Sequence, residues 1–347
     1  MKYKYHMDPS NAPEKKTNGE WTAVYAVFPK EKYKVCGTLR PDFLVSPIGE
    51  DYTMGIEVTS FFFHMGSARL KRDETYLQDV LDGHPHEKDI AIMRKDTLIL
   101  LEQNDENGNE IELEVVAYTH PPFAEFIALL GQEIEKKNTK YSNYQGPASR
   151  LHLIIVDEEN YFSGSTVEQV SAQLVRDDVF NAQLQSAVFY EIFLLTNVST
   201  NKCYIPLKQA LFFSKQRLTS LFFYRKLMPE VSISQYVIVF LNILARLGYT
   251  QMKAFREGDG KVCFVYQNMI IKIDNAGVSE IFLTDSPIFD FMDPLSTLLE
   301  NATNQLPAEV FNDYIDFQKE NYALLHEVIH FLPALDDGNI QAENANI

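Results

Sequence analysis

Arg40-Pro41-Asp42-Phe43 and, fifteen residues after Asp42, Gly55-Ile56-Glu57-Val58-Thr59 put one carboxylate into each of two neighbouring strand-like segments. A charge among apolar strand residues is costly to desolvate, so two in adjacent strands call for a shared partner. A divalent cation is one that hard carboxylate oxygens suit. Side chains alternate along a strand, so Glu57 and Thr59 share one face while Ile56 and Val58 share the other. A hairpin joining Lys34–Val45 to Thr53–Phe63 through the turn Ser46-Pro47-Ile48-Gly49-Glu50-Asp51 sets Asp42 opposite Glu57 on that face.

Outward from this hairpin the periodicity changes. Leu70, Tyr76, Leu77, Val80 and Leu81 are spaced for one face of a helix over Gly66–Leu81, which Gly83 stops. Strands over Thr97–Glu102 and Glu110–Tyr118 follow. Pro121-Pro122 then introduces a helix over Phe123–Tyr141, with Phe126, Leu129, Leu130, Ile134 and Lys137 spaced along it. Leu151–Val156 is apolar apart from His152, the mark of a strand covered on both faces, and Ala187–Thr196, with Glu191 inside it, reads as another such strand. This order predicts an α/β layer with a mixed central sheet flanked by helices.

After Pro206 the pattern becomes helix, helix, strands, helix. Leu207–Leu227 and Ile233–Leu247 read as helices, Lys253–Thr284 as three antiparallel strands and Pro294–Leu332 as helices, before an acidic tail from Asp336 to Ile347. The expected division is residues 1–215 for the mixed-sheet domain and 216–347 for a C-terminal α+β domain that selects a partner, a substrate or a second copy.

The chain holds 31 Lys and Arg against 48 Asp and Glu, a net charge of −17. Phosphate binding needs local positive potential, so a nonspecific nucleic-acid coat is excluded. The imbalance is uneven: 18 basic against 24 acidic residues up to Arg150, then 13 against 24. Lys30, Lys32, Lys34 and Arg40 precede the acidic pair, Arg69, Lys71 and Arg72 follow it, and Lys136, Lys137 and Lys140 come later. Three such clusters in one half predict a local phosphate-facing patch, although any single cluster is ordinarily a solvated face. Cys36, Cys203 and Cys263 lie far apart in apolar runs, which suits buried thiols of a reducing compartment. No segment is long and apolar enough to span a bilayer or to serve as a leader, so a soluble cytoplasmic protein is expected.

Pro41-Asp42, Glu57-Val58-Thr59 closing a strand, and the helix and buried strands that follow resemble the PD-(D/E)xK nuclease superfamily, over roughly residues 20 to 200. The resemblance implies a restriction-endonuclease-like fold and hydrolysis of phosphodiester bonds in DNA, less readily RNA, assisted by Mg²⁺ or Mn²⁺. It maps the two metal-binding acids onto Asp42 and Glu57, and the lysine of the pattern onto position 59, which is threonine here. A threonine hydroxyl orients water but supplies no positive charge. Some members carry the basic residue on a neighbouring element. Lys71 is then the candidate, Lys137 the second, with Arg40, Lys137 and Lys140 steering phosphates. Glu20 is the candidate for the further acid that members often carry on an N-terminal helix. Such proteins are commonly bacterial and serve restriction, repair or defence. A non-catalytic interaction protein that keeps the fold is the alternative.

His326-Glu327-Val328-Ile329-His330 offers a competing chemistry. On a helix, residues four apart share a face, so both imidazoles could ligate one Zn²⁺ while Glu327 activates its water. The match to zinc metallopeptidases is partial: Asp336 falls at the third-ligand position, but Pro333 replaces the turn glycine. An amphipathic helix bearing two histidines is the plainer reading. His84-Pro85-His86 is a loop, no Gly-rich phosphate loop is present, and Ser163-Gly164-Ser165 lacks the strand that leads into a nucleophile elbow.

Overall fold

Helix α1 (Asn18–Val27) opens on a reciprocal cap: the Thr17 hydroxyl accepts from the Glu20 amide, and the Glu20 carboxylate accepts from the Thr17 amide. Two of the helix's orphan donors are thereby satisfied. Its inner face, Ala23, Val24, Ala26 and Val27, is buried. The computed structural model describes residues 16–91, 93–104, 110–141, 148, 150–165, 170, 173–174, 176–198, 201–227, 233–249, 252–256, 261–267, 269–274, 277–283, 306–321 and 332–333.

The stretch Lys34–Val45, expected as one strand, is two: β1 (Tyr33–Gly37) and β2 (Phe43–Pro47) fold back antiparallel, with Gly37 paired to Phe43. Thr38 closes the turn between them. Its amide donates to the Asp42 carbonyl at 2.8 Å and its hydroxyl donates to the Pro41 carbonyl. Strand β3 (Met54–Phe61) pairs antiparallel with β2, Phe43 opposite Ile56. The single helix expected over Gly66–Leu81 is also two, α2 (Met65–Arg72) and α3 (Glu74–Leu81). Asp73 divides them by adopting an extended backbone and accepting from the Thr75 amide at 3.0 Å. An aspartate that can cap competes with helix continuation. A separate two-stranded ribbon follows, β4 (Met93–Asn104) with β5 (Glu110–Tyr118), and then helix α4 (Phe123–Thr139).

Strand β6 (Arg150–Asp157) runs parallel to β3, Glu57 opposite Leu153, and parallel to β7 (Ile192–Val198) on its other side. Strand β8 (Asn201–Pro206) is antiparallel to β7, and a short strand at Leu332–Pro333 pairs with β8. The result is a mixed seven-stranded sheet with β3, β6 and β7 at its centre. On one face Val24 and Val27 of α1 pack with Ile56, Val58, Ile154 and Leu195. On the other, Phe126, Leu130 and Ile134 of α4 pack with Leu153 and Ile155. The apolar run of β6 is thus covered on both faces, as its composition predicts.

Helices α5 (Asp178–Ser186), α6 (Leu207–Phe222), which runs on into a π-helical turn at Phe223–Leu227, α7 (Ile233–Arg246) and α8 (Ala308–Asn321) lie outside the hairpin half. Four antiparallel strands, rather than three, lie within Lys253–Leu283 and form their own sheet. Residue 215 falls inside α6, and one apolar cluster continues from Phe61 through Leu211 and Phe240 to Phe317. Glu191, buried just ahead of β7, fastens α6 to the main sheet by accepting from the Lys208 and Gln209 amides at 2.8 and 3.1 Å. Lys208 Nζ donates back to the carbonyls of Ala187 and Phe189. Burial pushes the Glu191 carboxyl up to about 7 despite these donors.

Among the described residues no helix is long and apolar enough to cross a membrane. No disulfide links the three cysteines.

Candidate functional site

Gly55 decides how closely the turn before β2 approaches β3. A Cβ added there would lie 2.7 Å from Pro41 Cγ and 2.9 Å from Leu151 Cδ1, so only glycine admits this contact. Pro41 resting on Gly55 brings Asp42 over the neighbouring residues of β3. The pairing of β2 with β3 stops at Phe43 opposite Ile56, and the Val58 amide donates instead to Asp42 Oδ2 at 2.9 Å. The other carboxylate oxygen, Oδ1, receives Lys16 Nζ at 2.5 Å.

Glu57 faces the same side and receives Lys137 Nζ on Oε1 at 2.9 Å. The side chains of Asp42, Glu57, Lys16 and Lys137 are all between 10% and 16% exposed, so both ion pairs are largely withdrawn from solvent. The Glu57 carboxyl is held above its ordinary range, first by burial and then by the charge of Asp42, against the pull of Lys137. The two acids therefore lie close enough for the charge of one to act on the other.

Thr59 stands one strand repeat beyond Glu57 and donates its hydroxyl to Glu133 Oε1 of α4 at 3.2 Å, while Lys136 holds Glu133 Oε2 at 3.1 Å. Lys71 goes elsewhere. It pairs with Glu158 at 2.5 Å, and the same carboxylate accepts from Ser60, whose side chain alternates to the opposite face of β3 from Glu57. The lysine brought to the acidic pair is Lys137, the second candidate. Arg40, in the turn two residues before Asp42, and Lys140, at the end of α4, are exposed. Glu20 is spent on the cap of α1. His326, Glu327, His330 and Asp336 lie outside the described residues.

Two members of the cluster were not singled out from sequence. Glu133 had a readable signal: Phe126, Leu130, Glu133 and Lys137 recur at helical spacing, and a charge on a buried stripe faces something that answers it. Lys16 had none, because its pairing with Asp42 spans 26 residues.

Among the described residues no group of three or more His, Cys, Asp or Glu side chains is arranged to hold a metal ion. The Asp42–Glu57 pair nevertheless fits Mg²⁺ or Mn²⁺. Mg²⁺ is commonly held by one or two carboxylates, with water and substrate phosphate completing its shell. A buried carboxyl held above its ordinary range by burial and by a neighbouring acid is one that an added cation would relieve. In comparisons with known proteins, no family model, curated protein or solved structure matches the chain.

Proposed function

We propose that the chain is a divalent-cation-dependent hydrolase of phosphodiester bonds, acting on DNA, with a restriction-endonuclease-like core. The observation that carries this reading is the buried pair of neighbouring acids, Asp42 held by Lys16 and the Val58 amide and Glu57 held by Lys137 at 2.9 Å. The order of elements around it supports the reading: a helix, three antiparallel strands with Asp42 in the turn before the second and Glu57 on the third, then, after two short helices and a ribbon, a helix carrying the lysine and a strand parallel to the third.

In this reading Asp42 and Glu57 hold Mg²⁺ or Mn²⁺, which when bound polarises the phosphate and acidifies the attacking water. Lys137 then serves the charge that develops on the phosphate oxygens. Its reach from a helix that packs on the sheet fixes that ammonium more firmly than a loop would. Arg40 and Lys140 meet the flanking phosphates from the exposed rim. The chain's overall negative charge confines attraction of a polyanion to this local patch.

A non-catalytic binding role is the second reading, favoured by Thr59 in place of the strand lysine and by the ammonium already seated on each acid. Incubation of supercoiled and linear DNA with Mg²⁺ or Mn²⁺, beside Asp42→Asn and Glu57→Gln, separates the two. Cleavage by the wild type that either substitution abolishes supports hydrolysis. An inert wild type across metals and substrates supports the second.

A further inference from the structure

The four charges of the site cancel. Two carboxylates face two ammonium groups, each pair within hydrogen-bond distance and each side chain largely buried. Seating a divalent cation on this neutral quartet would leave two uncompensated positive charges in a partly desolvated place, unless an ammonium withdraws or an anion arrives. A phosphodiester is such an anion. The two lysines differ in how they are held. Lys137 projects from the body of α4, whose backbone is fixed by its own hydrogen bonds and by Phe126, Leu130 and Ile134 in the core. Lys16 precedes Thr17, the N-cap of α1, and so lies outside the helical ladder.

The Lys16 stem runs past Gly37 and Phe43. Its Cγ lies 3.6 Å from where a Cβ on Gly37 would be, and its Nζ stands 5.7 Å from the centroid of the Phe43 ring. The ammonium thus reaches Asp42 along the rim of the β1–β2 turn, which also carries Arg40.

The geometry points to Lys16 as a positioning residue that makes metal loading conditional on substrate: it occupies Asp42 Oδ1 until a phosphodiester draws its ammonium onto a phosphate oxygen, opening Asp42 to the cation. This rests on the proposed function, and it adds an order to it. Metal and nucleic acid bind with positive cooperativity, and Lys16 is the residue through which they are coupled.

The test is Mn²⁺ binding followed by electron paramagnetic resonance on the metal-free full chain, for the wild type, Lys16→Gln, Lys16→Arg and Glu57→Gln. A second measurement is fluorescence anisotropy of a labelled, cleavage-resistant phosphorothioate DNA duplex with and without Mn²⁺. Lys16→Gln is expected to tighten Mn²⁺ binding about tenfold or more without DNA, while Lys16→Arg stays near the wild type. Mn²⁺ is expected to strengthen duplex binding by the wild type more than by Lys16→Gln, with Glu57→Gln reporting the background. Equal Mn²⁺ affinity in the wild type and Lys16→Gln, both lost in Glu57→Gln, overturns the coupling and leaves the metal site standing. No Mn²⁺ binding by any variant, with or without duplex, overturns both.

Discussion

The Thr59 hydroxyl donates to Glu133 Oε1 at 3.2 Å, so the strand position beyond Glu57 is tied to an acid on α4 and brings no positive charge of its own. The positive charge comes from Lys137, one helical turn beyond Glu133. If Lys137 answers the charge developing on phosphate, Lys137→Gln lowers single-turnover DNA cleavage by about 10²–10³-fold. Adding Thr59→Lys in that background returns part of the rate. A folded double variant with no recovery would remove Lys137 from that role.

The nearness of the two acids predicts a measurable coupling. Asp42→Asn removes a neighbouring charge, so the Glu57 carboxyl falls toward its ordinary range. Carboxyl ¹³C chemical shifts across a pH titration read this directly. An unmoved Glu57 would assign the whole elevation to burial.

Pro41 and Gly55 predict a steric dependence. Gly55→Ala places a methyl group 2.7 Å from Pro41 Cγ and 2.9 Å from Leu151 Cδ1, so the turn that carries Asp42 must lift. The expected cost is about 1–3 kcal/mol of stability, read by urea denaturation. DNA cleavage should fall further than that loss explains, because the Asp42 carboxylate moves with the turn.

Two buried groups at the start of β6 and β7 set opposing pH slopes. Burial raises the Glu191 carboxyl from 4.5 to about 7. Its folded form therefore holds the proton more tightly than the unfolded chain does, and its contribution to stability is lost as pH rises from about 4.5 through 7. His152 does the reverse. Its ring lies among Phe28, Tyr190 and Phe193, its two nitrogens have no hydrogen-bond partner among the described residues, and burial lowers it from 6.5 to about 3. Its contribution is present above 6.5 and is lost as pH falls toward 3. Urea midpoints measured from pH 4 to 8 should lose the first slope in Glu191→Gln and the second in His152→Phe.

The acidic pair was legible as two charges in apolar surroundings; Glu57 sits on a strand as expected, whereas Asp42 sits in the turn just ahead of β2. The mixed sheet was readable for a similar reason: the apolar run of Leu151–Val156 has no polar face and must be covered twice. What escaped was decided by competing local chemistry or by distance along the chain. Lys34–Val45 has the apolar alternation of one strand, but Thr38 and Asp42 close a turn inside it. Gly66–Leu81 has one helical stripe, yet Asp73 caps its second half. Lys71 and Lys137 both sat on predicted helices. Only Lys137 shares the stripe of Phe126, Leu130 and Ile134, and burial of that stripe, not nearness in sequence to Glu57, chose the lysine.

The hydrogen bond from the Val58 amide to Asp42 Oδ2 also limits what the site can grip. With one lone pair of that oxygen given to the backbone, Oδ1 is the freer oxygen once Lys16 withdraws, and the carboxylate plane is oriented by β3. Single-oxygen contacts of fixed direction suit a small octahedral ion that keeps its waters, whereas Ca²⁺ favours a larger, often two-oxygen embrace. On the proposed reading, the ladder bond that β2 leaves unmade would favour a small ion over a large one.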